Sequence, residues 1–402
     1  MKRIEKRNTT SLVTSCTITK IGDVLFDYAN NAFLAGINLN SLTLVGIYQS
    51  LESVMGIIFN LFGGVIADNF RRKKILILTD LLSGIICIIL SFINVETWLI
   101  YSIILANIFL AFLSSFSSPA YKAFTKEVVE TEYIAQINSY LQTASTVVKI
   151  LVPIIATWFY HIIGIHGILL VDGITFIFSA SIIFLVTPIV NETKKNKKFS
   201  IENIYQDLVS GFKYLYVKKN ILNLIILSAF INFFLAAYNL LLPYGNEMLP
   251  RVAGDIYSTF LTSEAIGGLV GAFFSGKINK QLSISKLMLY LGLSGFFIST
   301  INLFYLITAN LFLIALAPTC FSIFLTIFNI QFFSFVQKDV DSEYLGRIFS
   351  IVFTVAILFM PLGTGIFTIL LKPNFEYNFL FIGLSTMILS IVFFILFSKK
   401  FN

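Results

Sequence analysis

The chain has 402 residues, of which 57% are hydrophobic and only 12% charged. A soluble domain carries about 25% charged residues, so this composition excludes a water-soluble enzyme, a nucleic-acid binder, a disordered regulator and a coiled coil, and leaves lipid as the solvent. The formal charge of +7 in such a chain points to a basic cytoplasmic face rather than to a polyanionic partner.

Apolar runs long enough to cross about 30 Å of hydrocarbon recur throughout. They predict twelve spans, near 10–36, 41–67, 74–94, 98–122, 134–160, 165–188, 221–245, 255–279, 286–307, 310–336, 344–371 and 377–398, hence an all-α membrane protein. The first span follows a basic segment, Lys2 to Arg7, and carries Lys20, Asp23 and Asp27, charges that a cleavable signal core avoids. Of the 28 Lys and Arg residues, only Lys20 and Lys149 fall well inside spans, away from their ends, and only Arg251 and Lys372 on the second side of the membrane. The rest lie on one side, which places both termini in the cytoplasm.

The one long connection, 190–220, is rich in Lys and Asn. It then places Ile201, Ile204, Leu208, Phe212 and Leu215 at helical spacing, the pattern of an amphipathic helix lying on a membrane surface. This linker separates a first six-helix part, 1–189, from a second, 221–402. An internal repeat supports two halves. Phe124, Val129, Glu132, Tyr133, Ile137 and Ser139 recur 211 residues later as Phe335, Val340, Glu343, Tyr344, Ile348 and Ser350. Two six-helix halves in parallel relation form a transporter architecture with a midplane substrate site.

Charges within the spans are the first candidate site. Asp27, Glu52, Lys149 and Glu264 fall mid-span, and Lys20, Asp23 and Asp27 share one face of the first helix by their spacing of three and four. A charge at that depth costs roughly 2.5–3.5 kcal/mol on the gentle insertion scale, so it is kept where it lines a cavity or pairs within the bundle. Burial disfavours the charged form of a carboxyl group, and an acid without a basic partner can then carry a proton near neutral pH. Asp27, Glu52 and Glu264 are therefore the expected proton sites, with Lys149 as counter-charge. Asn30, Asn31, Gln142, Asn232, Asn239, Asn329 and Gln331 are expensive facing lipid and are candidates to line a cavity.

Other features carry less. Cys16, Cys87 and Cys320 lie in separate apolar runs without metal-ligand spacing, and His161 and His166 flank a predicted outer loop, so no metal or cofactor is expected. Gly271 to Lys277 fits the start of a phosphate-binding loop, but Ile278 stands where Ser or Thr would hold magnesium. Helix packing is the better reading there.

The strongest local motif is Gly63 to Lys74, a pair of glycines, Asp68 and four consecutive basic residues between spans two and three. Here the chain resembles the major facilitator superfamily, whose signature is Gly-x-x-x-Asp-Arg-x-Gly-Arg-Arg/Lys. Gly64, Asp68, Arg72 and Lys73 match it, while Asn69 and Arg71 depart from it. Ile21-Gly22-Asp23, Ser118-Pro119-Ala120, Asn138-Ser139 with Leu141-Gln142, Asp172 with Phe176, and Gly346-Arg347 resemble the macrolide-efflux-like permeases of that superfamily. Val152-Pro153 stands where many antiporters have Gly-Pro.

The resemblance implies a monomeric carrier in a bacterial cell membrane, not an enzyme, exporting amphipathic drugs of the macrolide type by proton antiport. It implies that Asp68 and Arg72 form a cytoplasmic gate to the other half. Two alternatives stand beside this: export of an endogenous metabolite such as a siderophore or lipid precursor on the same fold, and a transport-dead membrane receptor or assembly factor.

Overall fold

The structure is a computed structural model that describes residues 2–37, 41–130, 133–189, 209–210, 212–278, 283–340 and 345–398. Every element among the described residues is a helix. The long ones are α1 (Arg3–Gly36), α2 (Leu42–Asn69), α3 (Arg72–Ser91), α4 (Glu96–Val128), α5 (Ile134–Leu185), α6 (Lys219–Leu241), α7 (Ile256–Gly276), α8 (Ile284–Thr308), α9 (Leu311–Asp339), α10 (Leu345–Leu370) and α11 (Asn378–Ser398). A 3-10 turn at Leu242–Tyr244 and one helical turn at Gly245–Met248 lead from α6 towards α7.

Among the described residues, eight helices are long and apolar enough to cross a membrane. α1 has the length but carries Lys20, Asp23 and Asp27 along it. The apolar surface is where lipid would require it. Leu78, Leu81, Leu82, Ile85 and Ile89 of α3 and Ile388, Ile391, Phe394, Ile395 and Leu396 of α11 are all exposed.

Local chemistry sets the helix ends and bends. Asp255 caps α7 by accepting a hydrogen bond from Ser258 N at 2.6 Å. Asn310 caps α9, accepting from Phe312 N at 3.0 Å and Leu313 N at 3.3 Å. Both satisfy backbone N–H groups that a helix start leaves without partners. The predicted spans five and six run together as α5, broken at Gly164, where φ is +63°. An L side chain is strained in that left-handed region and glycine is not, so a single residue makes the turn between His161 and His166. Of the predicted surface helix, Ile201, Ile204 and Leu208 lie outside the described residues. Residues 212–217 are helical, with Phe212 exposed and Leu215 buried.

By its internal packing the chain divides into two units, Met1–Ile37 with Leu51–Phe199, and Asn38–Ser50 with Ser200–Asn402. In the first, α1 and α3 pack on α5 and α3 also packs on α4. Its core at one end is Leu12, Leu76, Ala120, Phe124, Val128, Val129, Ile137, Ile183 and Val186. In the second, α8 packs on α11 and α9, α7 on α9, and α6 on α10. The start of α2 belongs to this second unit, which no sequence signal announces. There Ser41 Oγ lies 2.8 Å from Tyr244 Oη, and Gln49 Nε2 donates to the Asn239 carbonyl at 3.4 Å.

Two close helix crossings are made by glycine pairs. A Cβ on Gly84 would lie 2.9 Å from the Gly173 carbonyl oxygen, and one on Gly173 2.9 Å from that of Gly84. In the second unit a Cβ on Gly295 would lie 2.8 Å from Gly383 O, and one on Gly383 2.6 Å from Gly295 O. Gly84 and Gly295 stand 211 residues apart, the offset of the sequence repeat. Small residues at such crossings let backbones approach and gain dispersion contacts that lipid cannot supply. Gly383→Ala is expected to lower unfolding stability in detergent by about 1–3 kcal/mol, the usual cost of overpacking, because backbone lies opposite and cannot swing aside. Gly365→Ala, where nothing lies within 4 Å, is the control and is expected to leave stability unchanged or slightly raised. Gly271 abuts the Ile323 carbonyl of α9, which agrees with helix packing rather than phosphate binding.

Candidate functional site

The polar face of α1 is the centre of the first unit's chemistry. Lys20 Nζ pairs with Asp23 Oδ2 at 3.0 Å, one turn along the same face. Asp27 is exposed between Phe26 and Tyr28, which are buried, and its backbone carbonyl accepts from Asn31 Nδ2 at 2.8 Å. Asn30 is fully buried. Glu52 is exposed on α2, just past the point where that helix enters the first unit. Asp27, Asp23 and Glu52 are close enough for their charges to interact. Lys149 does not join this group. It is exposed on the first arm of α5, and among the described residues no ion pair links it to an acid. The ion pair on this face is that of Lys20 with Asp23, one turn apart on the same helix, so no second helix is needed to bring them together. Gln142 and Asn138 are also exposed on that first arm of α5.

Two acids that the sequence reading did not single out as site residues lie deeper. Asp80 of α3 is 8% exposed and Asp172 of α5 1%. Ser179 Oγ donates to Asp80 Oδ2 at 2.6 Å and lies 2.7 Å from Ser15 Oγ, so one chain of hydrogen bonds ties α3, α5 and α1. One rung further along the antiparallel pair, Cys87 Sγ donates to Asp172 Oδ2 at 3.3 Å. The signal for them was present: both are acids in predicted spans, and Asp172 had been noted for family resemblance alone.

In the second unit Glu264 of α7 accepts a hydrogen bond from Tyr238 Oη of α6 at 2.7 Å. The Tyr238 ring packs against Phe321 and Phe379, with centroids 5.4 and 5.6 Å away. The Glu264 backbone carbonyl accepts from Ser322 Oγ at 2.6 Å, tying α7 to α9. Gln331 is buried and donates to Ser275 Oγ and the Ser275 carbonyl, at 3.0 and 3.2 Å. These bonds tie α9 to α7. Asn232 and Asn329 do line one cavity, and Asn239 meets Gln49.

The basic motif after α2 is engaged within its own unit. The side chain of Asp68 lies outside the described residues, and Gly64 is described only as part of α2. Arg72 Nη1 pairs with Glu127 Oε1 at 3.0 Å, and both side chains are largely shielded, 10% and 15% exposed. This pair joins the start of α3 to the end of α4, and the gate that the resemblance implies for Asp68 and Arg72 in the outward-open carrier is a separate role. Lys73 Nζ donates to the carbonyls of Phe184 and Val186 at 2.7 and 2.8 Å, where the end of α5 leaves acceptors free for a cation.

The start of α1 is sewn to the same end of the unit. Asn8 Nδ2 donates to the carbonyls of Thr187 and Val128, at 2.7 and 3.2 Å. Glu5 is buried before the predicted first span and accepts from the Glu130 backbone N–H at 3.0 Å, while Lys2 Nζ pairs with Glu130 at 2.8 Å. The hydrogen bonds from the backbone N–H groups of Glu130 and Lys2 hold the Glu5 carboxyl below its ordinary range. A depressed carboxyl stabilises the fold above its unfolded-state value, about 4.3, and this contribution is lost as pH falls through the lower folded value. Glu5→Gln is therefore expected to lower the melting temperature at pH 7, and the gap to wild type to close below about pH 4. Parallel pH-melting curves in detergent check this; a gap that persists unchanged at pH 3 would contradict it.

Comparison with known proteins agrees with this architecture. The model of the Major Facilitator Superfamily matches residues 18–364. The chain is 23% identical to macrolide efflux protein A of Streptococcus pyogenes over 357 residues, covering 85% of each chain. It is 23% identical to macrolide efflux protein A of Enterococcus faecalis over 309 residues, 75% of this chain and 92% of the relative. Among solved structures, a bacterial homologue of the iron transporter ferroportin, in an inward-facing state, superposes with a TM-score of 0.75 at 14% identity, over 98% of both chains. With its many apolar helices and a family match over most of its length, the chain belongs to the Major Facilitator Superfamily, as a multi-pass membrane transporter of small molecules rather than an enzyme.

Proposed function

We propose that this transporter exports amphipathic small molecules of the macrolide type, driven by protons moving inward. The observation that carries the proton is the placement of Asp27 and Glu52: two carboxyl groups, exposed on helices of otherwise apolar surroundings and close enough to interact. Such groups are expensive at membrane depth unless they work in a wet cavity. The similarity to macrolide efflux proteins supports the substrate class. The basic residues on one side support cytoplasmic termini.

The mechanism is alternating access. With the cavity open outward, a proton taken up by the acidic pair of the first unit weakens the hold on the substrate. With the cavity open inward, its release resets the site. One charge moved through 100 mV supplies about 2.3 kcal/mol, enough for a concentration ratio of roughly fifty. Glu264, held by Tyr238 in the second unit, is a further acid in reach of this scheme. Everted vesicles with an imposed pH gradient test the reading. Macrolide accumulation that rises with the gradient and collapses with a protonophore supports it, and accumulation indifferent to both refutes proton coupling.

A further inference from the structure

We propose that the cavity between α6, α9 and α10 is a subsite for a neutral hydroxyl- or carbonyl-bearing group of the cargo. The proposal rests on the export reading and deepens it by naming which part of the molecule the second unit reads. The walls are Asn232 and Ser228 of α6, Asn329, Phe332 and Phe333 of α9, and aliphatic side chains. None of the lining residues is charged.

Size decides what enters. The cavity holds about 60 Å³, well under the roughly 150 Å³ of a cavity that takes a benzene ring. That admits one substituent of a large molecule, not a ring system. Chemistry decides the rest. Asn329 is exposed, well inside a membrane-length helix, and among the described residues its amide makes no hydrogen bond. The Asn329 amide offers two donors and an acceptor, so it reads a hydroxyl or a carbonyl equally well, with Asn232 beside it on the cavity wall. Ser228 Oγ gives its proton to the Leu224 carbonyl at 2.8 Å, leaving its oxygen to accept. Phe332 is held by Phe328, parallel within 5° at 5.6 Å, which makes one wall rigid and apolar. A cation would find no carboxylate here, whereas an oxygen substituent on an apolar skeleton meets polar and aromatic partners together.

The test uses erythromycin, a hydroxyl-rich macrolide that also bears an amine, with the full chain in detergent and in everted vesicles. Equilibrium dialysis is expected to show about tenfold weaker binding for Asn329→Leu and for Asn232→Leu, the effect of one lost neutral hydrogen bond, at unchanged melting temperature. Asn329→Ser is expected to recover most of the affinity. Unchanged binding in both leucine variants overturns the subsite, as does a wild type that binds no erythromycin. Tighter binding by Asn329→Asp overturns it too, since that would place the amine in the cavity. Vesicle transport separates this from the parent reading. Wild type that binds but does not move the probe defeats export and leaves the subsite standing. Gradient-driven transport with normal binding in the leucine variants does the reverse.

Discussion

Asp27→Asn is expected to reduce pH-gradient-driven macrolide accumulation in everted vesicles to the level of vesicles without the protein, while leaving the protein folded. The substitution keeps the size of the side chain and fixes it in a neutral form that can neither carry the negative charge nor exchange a proton. Asp27 is exposed, and the bond from Asn31 Nδ2 goes to its backbone carbonyl, which the substitution leaves in place. Coupling has everything to lose, since a carrier that cannot bind the driving ion runs only downhill. The variant should accordingly retain substrate exchange between equal concentrations on the two sides, and this separates a proton site from a general defect. Glu52→Gln is expected to have the same sign and a smaller effect. Because the two acids and Asp23 sense one another's charge, their substitutions should not add: neighbours in one electrostatic group seldom do. If one proton is shared, the double variant is no worse than Asp27→Asn. Uphill accumulation at wild-type rate in the double variant would end the proposal for the first unit and leave Glu264 as the acid to test.

Much of this was legible in the sequence, for a physical reason. Lipid imposes a one-dimensional code of apolar length, interrupted by charge, and α1, α3, α4 and α6 lie close to where that code puts them. The repeated segment was legible because its residues do the same job twice. Phe124, Val129 and Ile137 are buried in one unit and Phe335, Val340 and Ile348 in the other. Partner choice was not legible. Arg72 and Glu127 are 55 residues apart, Asn8 and Thr187 farther still, and nothing in a linear pattern says which acid or carbonyl a cation will meet once α3, α4 and α5 pack. The same holds for Asp80 and Asp172, whose partners Ser179 and Cys87 come from helices that antiparallel packing brings into register. Depth can be read along a chain; the neighbour across a helix interface depends on rotation and crossing.

Arg72→Met is expected to cost about 3–5 kcal/mol of stability, the range for breaking a shielded ion pair and leaving one charge behind. The pair is a shielded one, with side chains only 10% and 15% exposed at 3.0 Å separation, so solvent screening takes little from it. Glu127→Gln removes the other partner and should also destabilise. The double variant Arg72→Met with Glu127→Met is expected to recover much of the loss, because replacing both charges by apolar groups removes their desolvation cost along with their attraction. Reversible unfolding in mixed micelles gives all four corners of this cycle. Equal stability of Arg72→Met and wild type would show that the ion pair does not brace the unit. The same four proteins distinguish two roles for the motif. If Arg72 only braces α3 against α4, transport should return with stability in the double variant. If the guanidinium also serves as a gate when the carrier changes state, stability returns and transport does not. None of the variants alters Lys73, which bonds the end of α5, so of the run of four basic residues only Arg72 is changed.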